Sequence, residues 1–406
     1  MDVADGARLY RRGTVRSRDP AATLSLLLPH LDRYGITRLA NVTGLDRIGI
    51  PVYQAVRPNS RGLSLSQGKG VDEAGAQVSA LMESLECYHA EQGNLPLQIE
   101  TRRVLARTHR VVNPWRLPLA RISEYHDDRP LPWVKSEDLR TGDPCFVPYE
   151  LVHANATVPR LPGSGCFVFS TNGLASGNNR VEAVLHGVCE LVERDAEAMW
   201  RVATEERRCA RRVDLSTVDD ETAMRLLQRY RDAGIEVMIW DMTSDIEVAT
   251  FRVAILDPET DPELNPYPAT YGAGCHPERG VALCRALTEA AQTRLTAIAG
   301  AREDLSRERF AELTTRAVLE EHRRVLVEAT PRPFAEAPTL QAPTIGAALD
   351  LVVSELGRRG HEQVLVVDLS SELVDFAFAR ALVPGLEGPV QSPSYRPGAR
   401  AQREAS

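Results

Sequence analysis

Apolar residues recur at helical spacing between Asp72 and Glu91, where Val78, Leu81, Leu85 and Tyr88 share one side, and the pattern predicts a helix over 72–91. Asn94 and Pro96 end it. A second long helix is predicted to reach about Ala203, with Leu185, Val188, Leu191 and Val192 on its apolar side. A short helix opens at Asp19-Pro20, runs through Leu24–Leu28 and meets Pro29, which stops it. Strands are expected at 36–42 and 51–56, with a turn at Gly44-Leu45-Asp46. Pro, Trp and β-branched residues crowd 110–170, which implies short strands joined by turns.

Further along, the pattern predicts helices at 217–234, 279–300, 306–328 and 344–359, and strands at 235–242, 248–256 and 363–369. No period of 20–50 residues recurs, which argues against a solenoid or propeller. Strands and helices alternate loosely, favouring an α/β or α+β fold over an all-α one. Two glycine-rich stretches, Gly68-Lys69-Gly70 and Asn172 to Asn179, each precede a long helix. Read as loops, they would offer backbone N–H groups to phosphates. From Gly388 onward Pro, Ser, Gly and Arg predominate, and a mobile or partner-facing tail is expected.

Charge changes this picture. Lys plus Arg number 48 and Asp plus Glu 56, a net charge of −8, which opposes a non-specific grip on nucleic acid or an anionic membrane. No run approaches a membrane span and no apolar signal core follows Met1, so a cytoplasmic protein is expected. Seven cysteines without a C-x-x-C pair fit reduced thiols better than disulfides or structural zinc. Only two lysines occur, Lys69 and Lys135, against a background of arginine. Lys69, between two glycines, is therefore a candidate for close approach to a phosphate.

The candidate chemistry lies in the acids. Glu83 and Glu86 share a face of the first long helix. Glu182, Glu190 and Glu193 fall within an arc of roughly 80° on the second, with Asn178 and Glu197 extending the face. A solvated face would interleave bases with these acids, and none is present among Glu182, His186 and Glu190. Clustered hard oxygen ligands suit Mg²⁺, which commonly holds substrate phosphates. Glu86-x-x-His89 has the spacing of a di-iron bundle, but the second helix offers Glu190-x-x-Glu193 instead of a repeat. No P-loop, nucleophile elbow or kinase motif is present. Cys275-His276 are adjacent and poorly placed to act together, and the four tryptophans read as packing residues.

Gly68-Lys69-Gly70, Ser79 to Glu86, Thr171 to Asn178, Glu190 to Asp195 and Arg285 to Gln292 together resemble the YcaO family, from about Arg18 to Glu387. The resemblance implies an α/β (α+β) fold of mixed sheets flanked by helices, with the nucleotide between two acidic helices. It implies an N-terminal segment 1–60 packed on the core, a catalytic domain 61–387 and a flexible tail 388–406. It also implies ATP and Mg²⁺, spent on activating a backbone amide oxygen of a precursor peptide. Glu83, Glu86, Glu182, Glu190 and Glu193 would hold the metal, with Glu83, Glu190 and Glu193 catalytic. Lys69, Ser79, Asn178, Arg194 and Arg285 would bind the nucleotide, together with Arg18 and Ser25 as the basic and hydroxyl residues near the N-terminus; Arg302 is a further candidate.

The carboxy terminus lacks the Pro-x-Pro-x-Pro ending of azoline-forming members and looks more like members that work beside a TfuA-type partner. That implies sulfide attack to give a thioamide and a sulfur donor; the family resemblance as a whole implies a homodimer. The alternatives are an azoline-forming cyclodehydratase and a non-catalytic nucleotide-binding scaffold.

Overall fold

The computed structural model describes residues 10–92, 95–258, 269–302, 330–371 and 374–405. The expected helix at 306–328 lies outside them. Helix α1 (Pro20–Leu27) starts where expected: the Asp19 side chain accepts from the Ala21 N–H and Pro20 occupies the first turn. Strands β1 (Arg38–Asn41), β2 (Val52–Val56) and β3 (Leu65–Lys69) form an antiparallel sheet, followed by α2 (Glu73–Gln92). Strand β4 (Leu97–Glu100) is not among the predicted strands, while β5 (Leu131–Asp138) and β6 (Pro144–Pro148) fall in the 110–170 segment predicted to hold short strands.

Next come β7 (Leu174–Gly177) and α3 (Arg180–Val202), which Asn179 caps by accepting from the Glu182 N–H. Helix α4 (Glu221–Asp232) leads into β8 (Glu236–Asp241), β9 (Thr250–Leu256), β10 (Ala269–Cys275) and α5 (Arg279–Ala299), which ends on left-handed Gly300. The chain finishes with α6 (Ile345–Arg358), β11 (Leu365–Asp368), β12 (Ala377–Leu382) and a short α7 (Ala399–Glu404). The largest sheet runs β4-β5-β11-β12-β7 with β6 on β5; β8-β9-β10 form another. This is a mixed α/β fold.

Three strand–helix units recur: β3–α2, β7–α3 and β10–α5. Their glycines explain them. A Cβ on Gly68 would lie 2.0 Å from the Ala80 nitrogen, one on Gly177 2.4 Å from Glu182 Cβ, and one on Gly272 2.3 Å from the Ala290 nitrogen. Each strand thus lies on the helix that follows it, at a distance only glycine allows. The glycine stretches expected to be phosphate loops are therefore largely strands; Gly68, Gly70 and Gly177 face the following helix, and Gly173 faces the Ala381 carbonyl of β12. Neighbouring N–H groups are already committed: Gly70 donates to Pro51 O and Gly173 to Glu190.

The apolar faces meet in separate cores. Leu81, Leu85, Trp133 and Phe378 fill one between α2 and the large sheet. Leu226, Tyr230, Phe251 and Leu287 fill another between the β8–β10 sheet and α4 and α5. The final segment differs from the flexible tail expected. Arg400 is buried against Asp195 of α3 at 2.8 Å, and Glu387 accepts from the N–H groups of Gly398, Arg400 and Ala401. The arginines that made this stretch look solvated include one that anchors it.

Candidate functional site

The three strand–helix units deliver acids to one cavity of about 1720 Å³. Its walls include Glu83 and Glu86 from α2, Glu182, Glu190 and Glu193 from α3, and Glu289 from α5. The spacing on each helix produces this: residues three or four apart share a face, and each helix turns that face inward. Glu182 and Glu193 are only 2% and 3% exposed. Glu83 and Glu86 show some surface to the cavity, but protein encloses them on their other sides.

The acids differ in how their charge is met. At the start of α3, Glu182 accepts from Ser17 N–H at 2.5 Å, from the Ser17 hydroxyl and from Asn178 N–H at 3.0 Å, with Arg16 at 3.5 Å. Burial works to raise its pKa, but Arg16 and Ser17 outweigh it and hold the carboxyl below its ordinary range. Glu289 is held down to about 2: burial is outweighed by Lys69, 2.6 Å away, and by Arg194. The middle of the cavity behaves oppositely. Burial pushes Glu83 and Glu193 up to about 7, and Glu86 to about 8 despite a 2.5 Å hydrogen bond from Ser176. Arg194 is shared among Glu190, Glu193 and Glu197 at 3.8, 3.7 and 3.0 Å.

This donor set fits Mg²⁺ and phosphate. The central carboxyls lack enough positive charge within the protein, which is what a divalent ion would supply. Among the described residues no three His, Cys, Asp or Glu side chains form a metal cage. Mg²⁺ asks for none, since it keeps waters and is usually held by one or two carboxylates plus phosphates. Two buried guanidinium nitrogens on the cavity residues, Arg18 Nη1 and Arg285 Nε, have no hydrogen-bond partner among the described residues and could meet a phosphate.

Of the expected nucleotide residues, Lys69, Ser79, Asn178, Arg194, Arg285 and Arg18 line the cavity, as does Arg302. Lys69 arrives paired with Glu289. Ser25 does not reach it: the side chain is exposed, on the outward side of α1, and its hydroxyl donates to Ala21 O at 2.9 Å. The inward hydroxyl is Thr23, two residues earlier, which donates to Asn178 Oδ1 at 2.7 Å. His89 stacks on Phe378 at 3.8 Å, and burial lowers its pKa, so it is a core residue. Arg285 Nη2 donates to His186 Nε2 at 3.0 Å; burial, followed by the Arg285 charge, holds the histidine well below its ordinary pKa and so neutral. Cys275 is buried, and that burial keeps its thiol protonated.

Glu289, Arg16 and Ser17 were not anticipated. Glu289 had a readable signal, since Gly272-Ala273-Gly274 ahead of α5 echoes Gly68-Lys69-Gly70 ahead of α2. Arg16 and Ser17 had none; their place follows from how the N-terminal segment crosses α3.

The YcaO cyclodehydratase family model, described as ATP- and Mg²⁺-binding, matches residues 67–387. An uncharacterized protein of Rhizobium leguminosarum bv. trifolii from the tfuA 3′ region is 36% identical over 393 residues, covering 95% of this chain and 92% of that protein. YcaO from Methanopyrus kandleri, bound with AMPPCP and Mg²⁺, superposes with a TM-score of 0.69 at 23% identity, over 96% of this chain and 99% of that one. A heterocyclase in complex with substrate and cofactor superposes with a TM-score of 0.74 at 21% identity. That alignment covers 94% of this chain but only 54%, about half, of the heterocyclase. A family match through all three strand–helix units, joined to a relative that is similar nearly end to end, means that this chain belongs to the ATP- and Mg²⁺-binding YcaO family.

Proposed function

We propose that the protein activates a backbone amide of a ribosomally made peptide and converts it to a thioamide. The observation that carries the proposal is the convergence of Glu83, Glu86, Glu190 and Glu193, from separate parts of the chain, on one cavity with unmet negative charge. These carboxylates would hold Mg²⁺, with Glu182 fixed at the edge of the site by Arg16 and Ser17, and Asn178, Arg18, Arg194 and Arg285 would hold the nucleotide. Bound Mg·ATP supplies the γ-phosphoryl group that makes the amide oxygen a leaving group, so that sulfide adds at the carbon and phosphate departs. The protein's own contribution is positioning and electrostatics. Arg194 holds Glu190 and Glu193 in register. His186, neutral, orients Arg285 while leaving the arginine's charge intact.

Sulfide as the nucleophile draws support from the relative named for the tfuA 3′ region, and a TfuA-like partner with a sulfur donor belongs to the same reading. Azoline formation shares every step up to activation. The test incubates the protein with precursor peptide, partner, ATP, Mg²⁺ and sulfide and weighs the product. A thioamide gains the mass difference between sulfur and oxygen; an azoline loses one water and would replace this reading. ATP hydrolysis by Glu190→Gln is expected to be lost, and unchanged hydrolysis would overturn the metal assignment.

A further inference from the structure

The cavity is larger than the roughly 300–1,000 Å³ of a typical small-ligand site. It continues beyond the carboxylates along α3. Glu182, His186, Glu190, Glu193, Glu197 and Trp200 follow one another at three- and four-residue steps, so a single helix face spans the cavity over about 27 Å. Asn178, Arg18 and Thr23 gather at its first end. At the other end the lining changes character. Trp200 and Trp240 meet with ring centroids 6.3 Å apart, and the Arg252 guanidinium sits 4.5 Å over the Tyr271 ring.

These rings belong to neither large core. Trp200 and Tyr271 are the half-buried cover of a small cluster formed by Met238, Trp240, Ala254, Leu256 and Ala269. All three rings nevertheless line the cavity. The end is also rigidly tied to the acids. Arg252 lies 3.7 Å from Glu197, Glu197 binds Arg194 at 3.0 Å, and Arg194 contacts Glu193 and Glu190. The segment Val390–Pro393 closes one wall, held by Arg201 donating to Val390 O at 2.6 Å and Gln391 donating to Glu197 at 2.9 Å.

We propose that Trp200, Trp240 and Tyr271 form a subsite for a large apolar side chain of the peptide, next to the amide that is activated. The proposal rests on the function given above and adds the substrate's flanking chemistry. Continuity on one helix face decides the occupant. A nucleotide anchored at Asn178 and Arg18 with its phosphates at the central carboxylates leaves the ring-lined end for the second substrate. Preformed aromatic walls favour an apolar side chain, because burying it against them removes its surface from water while Arg252 stays paired with Glu197.

The experiment uses the full chain saturated with Mg²⁺ and a non-hydrolysable ATP analogue. Tryptophan emission is followed while N-acetyl-Gly-X-amide is added, with X as Phe, Leu, Lys or Glu. The Phe and Leu probes are expected to saturate the signal at concentrations at least tenfold below those needed for Lys or Glu. Trp200→Phe should keep that preference, while Trp200→Ala and Tyr271→Ala abolish it and leave calorimetric affinity for the analogue unchanged. Equal response to all four probes, or none, overturns the subsite. A fall in analogue affinity on Trp200→Ala also overturns it and assigns the rings to the nucleobase. Failure of the analogue to bind the unaltered protein would instead sink the nucleotide reading itself.

Discussion

Helix α3 carries acids of two kinds. Glu182 and Asp195 have their charge met by protein: Arg16, Ser17 and Asn178 around the first, Arg400 and the Glu387 N–H around the second. Glu193, about three helical turns after Glu182 and two residues before Asp195, is buried with an arginine it shares with Glu190 and Glu197 and is pushed up to about 7, as are Glu83 and, further, Glu86 across the cavity. All are largely enclosed acids on or facing one helix. Burial raises Asp195 as well, despite its Arg400 pair, so neither burial nor an upward shift alone marks a ligand; what marks it is a cavity-facing carboxyl without a close ion pair of its own.

The largest expected effect comes from spoiling a satisfied acid. Arg400→Leu strands the Asp195 carboxylate, which is fully buried, and a broken buried pair costs about 3–5 kcal/mol. Urea denaturation should record that loss, while affinity for an ATP analogue per folded molecule stays as it was. A collapse of nucleotide affinity would place Asp195 among the functional acids and erase the distinction.

Glu193→Gln should do the reverse. ATP turnover falls on the order of 10²–10³-fold, the range for removing one preorganised electrostatic group from an active site. Without nucleotide the variant should melt no lower than the parent, because a neutral amide replaces a carboxyl that burial disfavours. Addition of Mg²⁺ and ATP analogue should then stabilise the parent far more than the variant. A lowered melting point without ligand would mean that Glu193 is held by the protein, as Glu182 is.

Glu182→Gln sharpens the contrast by its sign. The variant loses charge-assisted contacts with Arg16 and Ser17, and a hydrogen bond to a charged group is worth about 1.5–3 kcal/mol. Stability without nucleotide should drop, opposite to Glu193→Gln, and turnover should fall less. If both variants lose turnover equally with no loss of stability, Glu182 is a metal ligand of the same kind.

This distinction was out of reach of the sequence. The helix pattern located α2, α3 and α5 closely, and the spacing of Glu83, Glu86, Glu190 and Glu193 put each pair on one face. Spacing, however, treats Glu182 as their equal, since its compensation comes from Arg16 and Ser17, far away in the chain. Strands β10 and β12 escaped for a related reason. Ala269 to Cys275 and Ala377 to Leu382 are rich in small residues and buried on both sides, so they lack the alternation that marks a half-buried strand. The final segment was misread because composition registers its arginines and prolines but not the partner, Asp195, that orders them.

The smallest expected effect tests how α1 enters the site. Its first turns place Thr23 inward and Ser25 outward, and two residues on a helix are about 200° apart, so both cannot face the cavity. Thr23→Ala removes one hydrogen bond to Asn178, worth about 1 kcal/mol, which corresponds to about a fivefold rise in KM for ATP if Asn178 contacts the nucleotide. Ser25→Ala should leave KM unchanged, since it gives up only a bond to the helix backbone at Ala21. Were the two outcomes exchanged, α1 would have to turn by half a revolution in the active protein. Arg18 and Asn178 would then meet a different hydroxyl, and the compensated end of α3 would be built otherwise than described.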